Sequence, residues 1–193
     1  VAKGQRGVWS EPLLPGKYAF NTYAGKVSIV PTKNFILKWT RGEVGSHKFD
    51  ENLTEVSLIT KDAFEPNLPL SVVVHIDYRK APLVIQRFGD IKKLVEQTLD
   101  PMVSAYFKNI GQTRTLIQLI QDRSAIQEQS GVQMKEKFAQ YNLELQEVLI
   151  GTPSSGAQGG QIEQILTQLR SRQIADEQVE TYARQQNAAA KER

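Results

Sequence analysis

His47 and His75 are the only histidines of the chain, so any imidazole-based proton transfer or metal binding must be assembled around one of them. His75 has Asp77 two positions on and Asp62 upstream, a set that could move a proton if the backbone brought the three together. The pattern around His75 argues against that. Leu70, Val72, Val74, Ile76 and Tyr78 share one face of a strand, and Ser71, His75, Asp77 and Arg79 share the other. Charged groups on the outer face of a half-buried strand are ordinarily solvated, and His47 sits in a polar stretch with no ligand-spaced partner. The chain has no Gly-x-Ser-x-Gly elbow, no P-loop and no GxGxxG. It has no cysteine, which excludes disulfides, thiolate metal sites and cysteine nucleophiles. The expectation is a protein that is not an enzyme, with no catalytic, cofactor-binding or metal-ligating residues and no cofactor.

The elements that hold these residues divide the chain by period. Residues 1–79 read as β-rich, with a turn-dense segment at Pro12-Leu13-Leu14-Pro15-Gly16 and short apolar runs at 18–20, 27–30 and 35–40. Phe35, Leu37 and Trp39 share a face; 42–52 is polar and reads as a loop; Val56, Leu58 and Thr60 alternate again. From Asp90 the spacing changes to threes and fours through Ile91, Leu94, Val95, Leu99, Val103, Phe107 and Ile110, an amphipathic helix. Asp100-Pro101 interrupts it and suits an N-cap and first-turn position, so a kink or a junction of two helices is expected there. Thr115 can cap a short helix over 116–121. Asp122 starts another, with Ile126, Met134, Phe138 and Tyr141 inward and Asn142 as its stop. Leu143, Leu145, Val148 and Ile150 then form a returning strand whose alternation slips near Gln146-Glu147, the mark of a bulge.

Two surfaces remain as candidates for binding. Residues 151–160, rich in Gly and Ser, read as a flexible linker. The helix over 161–193 then carries Ile162, Ile165, Leu166 and Leu169, placed to contact a second copy or a partner. Its seam is broken at Arg172 and Gln173, so no long regular coiled coil follows. Trp9, Leu13 and Leu14 are the possible membrane-facing residues, with closure of the sheet end as the competing role. Lys92, Lys93, Lys135 and Lys137 decorate helix exteriors.

A chain of 193 residues, 40% hydrophobic, can bury a sizeable core. Its formal charge of +3 comes from Lys and Arg interspersed with Asp and Glu, which reads as a mixed surface and gives no nucleic-acid partner. No apolar run approaches the ~20 residues of a membrane span. The chain starts at Val1 and ends in Ala188-Ala189-Ala190-Lys191-Glu192-Arg193 without a helix stop, and a chain cut at both ends is the simplest expectation.

Several short patterns occur in a fixed order. They are Gly4-x-x-Gly7-Val8, Pro15-Gly16, Thr60-Lys61-Asp62, and Val72 to Tyr78 followed by Lys80-Ala81-Pro82; then Asp122-Arg123 opening a helix and Asn142-Leu143-x-Leu145 entering a strand. This succession, from Gly4 to Ile150, resembles the SPFH, or band 7, family of stomatin, prohibitin, flotillin and the bacterial membrane-protease attendants. Pro66 and Pro69, and the Gly/Ser-rich linker, depart from the family pattern.

The resemblance implies an α+β fold: an SPFH-type domain with an antiparallel β-rich part (1–79), helices packed on a sheet with a late returning strand (80–150), the linker, and the start of a helical or coiled-coil tail. It also implies a membrane-associated scaffold that oligomerises with itself or with related chains. Such a scaffold organises membrane patches or regulates membrane-bound partners such as proteases, and its anchor would lie outside this soluble piece. The alternative is a soluble adaptor that binds a partner through its tail helix.

Overall fold

The computed structural model describes residues 1, 5–41, 49–155 and 161–191. Two small antiparallel sheets share one core with the helices. The first sheet has the order β1-β4-β5, formed by β1 (Phe35–Trp39), β4 (Leu70–His75) and β5 (Glu144–Ile150); the second has the order β2-β3-β6, formed by β2 (Val56–Ser57), β3 (Pro66–Leu68) and β6 (Ser154–Ser155). The fold is α+β, with the late strand β5 returning beside β4 as the sequence pattern requires. One cluster of buried apolar side chains runs from Phe35 to Ile150.

The strand alternation is observed as burial. In β1 the side chains of Phe35, Leu37 and Trp39 are buried, and in β4 those of Leu70, Val72 and Val74 are, with Ile76 continuing the series. Tyr78 does not: it opens a 3-10 turn over Tyr78–Lys80 and is exposed. Asp77 ends the strand by accepting the backbone N–H of Arg79 at 3.0 Å, which turns the chain into α1 (Ala81–Phe88). Opposite β4, Val73 pairs with Glu147 and Val74 with Leu145, so Gln146 is the extra residue of a bulge.

The long amphipathic stretch is nearly continuous helix, comprising α2 (Ile91–Leu94), a π-helical turn over Val95–Leu99, and α3 (Asp100–Thr113). Pro101 has no N–H to give and its ring crowds the preceding turn, and the wide π turn immediately before it accommodates both effects. Asp100 is therefore not an N-cap. Its carboxylate accepts the indole N–H of the fully buried Trp39 at 2.9 Å and the hydroxyl of Ser104 at 3.2 Å. α4 (Leu116–Gln121) begins in a capping box between Thr115 and Gln118, α5 is Arg123–Ala139, and Asn142 at φ +60° turns the chain into β5. Replacing Thr115 by alanine is expected to lower the unfolding free energy by about 1 kcal/mol, read from the urea midpoint at unchanged slope.

Three regions differ from the sequence pattern. Residues 5–34 contain neither helix nor strand, and the apolar runs at 18–20 and 27–30 carry exposed Tyr18, Phe20, Val27 and Ile29. Short apolar runs imitate strands, but among the described residues no strand pairs with these. The proline-bearing segment does form a strand, because Pro66 is its first residue and needs no ladder N–H there. The expected linker is paired in its first half: Ser154 and Ser155 lie opposite Asn67 and Pro66, Pro153 is buried, and Gly151 donates its N–H to the Pro69 carbonyl at 2.8 Å. A Cβ on Gly151 would stand 2.6 Å from Pro69 Cγ, so only glycine permits this approach. Residues 156–160 lie outside the described ones, as do Gly4 and the candidate His47.

Candidate interaction surfaces

The residues of the supposed proton-transfer set are held in separate surroundings. Asp62 sits at the tip of the β2–β3 turn, where it accepts the Thr60 hydroxyl and the backbone N–H of Leu116 at 3.2 Å. The same turn is latched by the Lys61 N–H to the Arg114 carbonyl at 2.9 Å and by the Phe64 N–H to Thr60 Oγ1 at 3.0 Å, with Ala63 at φ +64°. The Thr60-Lys61-Asp62 pattern thus joins the turn to the start of α4. Asp77 is held by Arg79, whose backbone N–H above all keeps the carboxyl below its ordinary range. His75 approaches Glu144 on the neighbouring strand at 3.9 Å. It is only partly exposed, and its Nδ1 is buried without a hydrogen-bond partner. That is less open than the outer face of an exposed strand, and the nearest carboxylate is Glu144 instead of Asp77 or Asp62. Among the described residues no group of three His, Cys, Asp or Glu side chains could hold a metal ion.

The cationic helix positions divide. Lys92 bonds the Glu51 carboxylate, which raises its pKa, and lies 4.0 Å from Glu96. Lys137 stands over the Tyr106 ring at 5.5 Å, and burial pushes the Tyr106 phenol up. Lys93 and Lys135 are exposed.

The tail helix α6 (Gln161–Lys191) is the first of the two surfaces. Ile165, Leu166 and Leu169 are half-buried, and Ile165 and Leu169 face Phe64, Leu116 and Ile117 across a shallow groove whose rim includes Asp62 and Arg172. The helix is therefore rooted on its own domain, at the turn that Asp62 ties to α4. Ile162 lies in the first turn, its side chain outside the described ones. From Arg170 onward every described residue is exposed, including Ile174, Val179 and Tyr182. Thr167, Ser171 and Thr181 bond carbonyls four residues back, at 2.9, 3.0 and 2.9 Å, so their hydroxyls need no water. Changing Ile165 and Leu169 together to aspartate is expected to release the root of the helix. Half-buried aliphatic side chains contribute about 1 kcal/mol each, so limited proteolysis of the tail should quicken severalfold while the urea midpoint of the domain holds.

The second surface is the N-terminal segment. Trp9 is half-buried, whereas Leu13 and Leu14 are exposed. The Tyr18 hydroxyl donates to the Leu14 carbonyl at 2.6 Å, and Val30 packs on the edge of the core, so the segment is attached at its C-terminal end. None of the described helices is long and apolar enough to cross a membrane. A protein-family model, the SPFH domain / Band 7 family, matches residues 1–192. No curated protein matches the chain.

Proposed function

Because the chain belongs to the SPFH domain / Band 7 family, whose members associate with membranes and oligomerise, we propose that it is part of an oligomeric membrane scaffold that acts by positioning partners instead of by chemistry. Its work is to organise a membrane patch or to regulate membrane-bound proteins such as proteases, with copies of itself or of related chains as its first partners.

The observation that carries this reading is α6. A helix of 31 residues, ~46 Å long at 1.5 Å per residue, leaves the domain with its outer two thirds exposed. A single helix with no packed face gains little from tertiary contact, and packing against another chain supplies that contact. Ile165 and Leu169 root it, and with Ile162 and Leu166 they start the apolar seam of its sequence. Leu13 and Leu14, with Trp9 four residues before them, form the membrane-facing end, since an indole is stable at the headgroup level and leucine side chains reach the acyl boundary beneath it.

Sedimentation velocity over a concentration series, together with membrane fractionation of the intact protein, tests the proposal. Concentration-dependent assembly and recovery in the membrane fraction are expected. A strict monomer that stays out of the membrane fraction would sink it. A monomer that still captured one partner through α6 would favour the adaptor reading.

A further inference from the structure

The chain's positive charge is not evenly distributed. The first 34 residues hold Lys3, Arg6, Lys17, Lys26 and Lys33 against a single carboxylate, Glu11, which leaves +4. The other 159 residues hold 19 Lys and Arg against 20 Asp and Glu, which leaves −1. The entire surplus of the molecule therefore sits in the segment whose described residues form no helix or strand and display their apolar side chains. Tyr23 is 101% exposed and Ile29 87%. Leu13, Leu14, Tyr18 and Val27 are each exposed by half or more.

We infer that residues 13–33 form a shallow docking surface for an anionic lipid bilayer, with lysines against the headgroups and exposed aromatic and aliphatic side chains among them. This deepens the membrane-scaffold reading and rests on it. Three features select this occupant. The charge is complementary to an anionic leaflet, whose attraction for each nearby lysine is substantial and fades within a Debye length. Exposed leucine, valine and isoleucine suit acyl chains, whereas a nucleic acid would use the aromatic rings and find no use for the aliphatic ones. The backbone–backbone bond within the segment is a single turn contact, Ala24 N–H to the Asn21 carbonyl at 3.1 Å, so its backbone cannot descend into hydrocarbon; it stays at the headgroup layer and only the side chains reach the acyl boundary. Attachment through Val30 and Pro31 to β1 would hold the domain close to the surface.

The test is co-sedimentation of the full chain with vesicles of phosphatidylcholine alone or mixed with phosphatidylserine. Binding to the mixed vesicles, loss of it on raising salt, and weak binding to the neutral ones are expected. Neutralising three lysines (K17Q, K26Q and K33Q together) should weaken binding on the order of 100-fold. Y23S with I29S should weaken it at high and low salt alike. All five positions lie outside the core, and an unchanged urea midpoint verifies that each variant is folded.

Equal binding to neutral and anionic vesicles, or none to either, overturns the inference, as does tighter binding to a single-stranded oligonucleotide than to the anionic vesicles. Assembly is read separately, by lipid-free sedimentation. A chain that assembles but ignores anionic vesicles refutes this surface and leaves the scaffold standing. One that binds vesicles but never assembles does the reverse.

Discussion

Replacing Trp39 by alanine is expected to destabilise the domain by about 3–5 kcal/mol, close to the whole stability of many domains of this size. Trp39 is completely buried, pairs with Leu70 across the first sheet, and sends its indole N–H to Asp100, 61 residues away. That bond fastens β1 to the first turn of α3, beyond the π turn. Its two ends are unequal. Asp100 is partly exposed and keeps Ser104, so Trp39→Phe leaves a carboxylate that water can still reach. Asp100→Ala instead strands a buried indole N–H, a loss of about 1–3 kcal/mol. In urea unfolding the double variant should therefore be less destabilised than the two single variants summed. Strict additivity would show that the bond contributes nothing.

Gly111 presents a smaller case of the same fastening. A Cβ there would stand 2.8 Å from Leu58 Cδ1 and 3.3 Å from the Ile59 carbonyl. The close approach of α3 to the segment after β2 depends on that missing side chain.

What could be read in the sequence is what local chemistry encodes. The alternation of Phe35-Leu37-Trp39 and of Leu70 to Ile76 appears as burial, Thr115 caps its helix, Asn142 takes the left-handed turn, and the slip near Gln146 is the bulge. What could not be read depends on distant partners. Nothing near Asp100 indicates that its acceptor role belongs to Trp39, and an Asp-Pro pair imitates a helix start. Ser154–Ser155 lies in a composition that reads as linker, and only the proximity of Pro66–Asn67 makes it a strand. The runs at 18–20 and 27–30 fail for the opposite reason, since apolar residues become strands only beside an edge. The clustering of charge was available from the sequence. It is hidden when cations are judged by local runs, because Lys17, Lys26 and Lys33 stand seven to nine residues apart and become significant only against an almost carboxylate-free background.

Changing Val179 and Tyr182 together to aspartate is expected to convert the assembled protein to monomers in sedimentation velocity, at concentrations where the parent chain is assembled. At 3.6 residues per turn, Ala175, Val179 and Tyr182 lie roughly a quarter turn around α6 from Ile165 and Leu169. The face that is half-buried on the domain is thus not the face that stays apolar further out. One helix can root itself through the first and offer the second to another chain at the same time. The outer face is modest, with Val179 and Tyr182 each 68% exposed and only Ala175 one turn before them. Two carboxylates placed in it would have to be desolvated on association, and that penalty exceeds what so small an apolar contact returns. Ile165→Asp with Leu169→Asp serves as the contrast. It should loosen the root and raise proteolysis of the tail, yet leave most of the assembly in place. If the inner pair dissolved the assembly and the outer pair did not, the half-buried groove would itself be the place where a second chain binds, and the docked helix would be its intramolecular competitor.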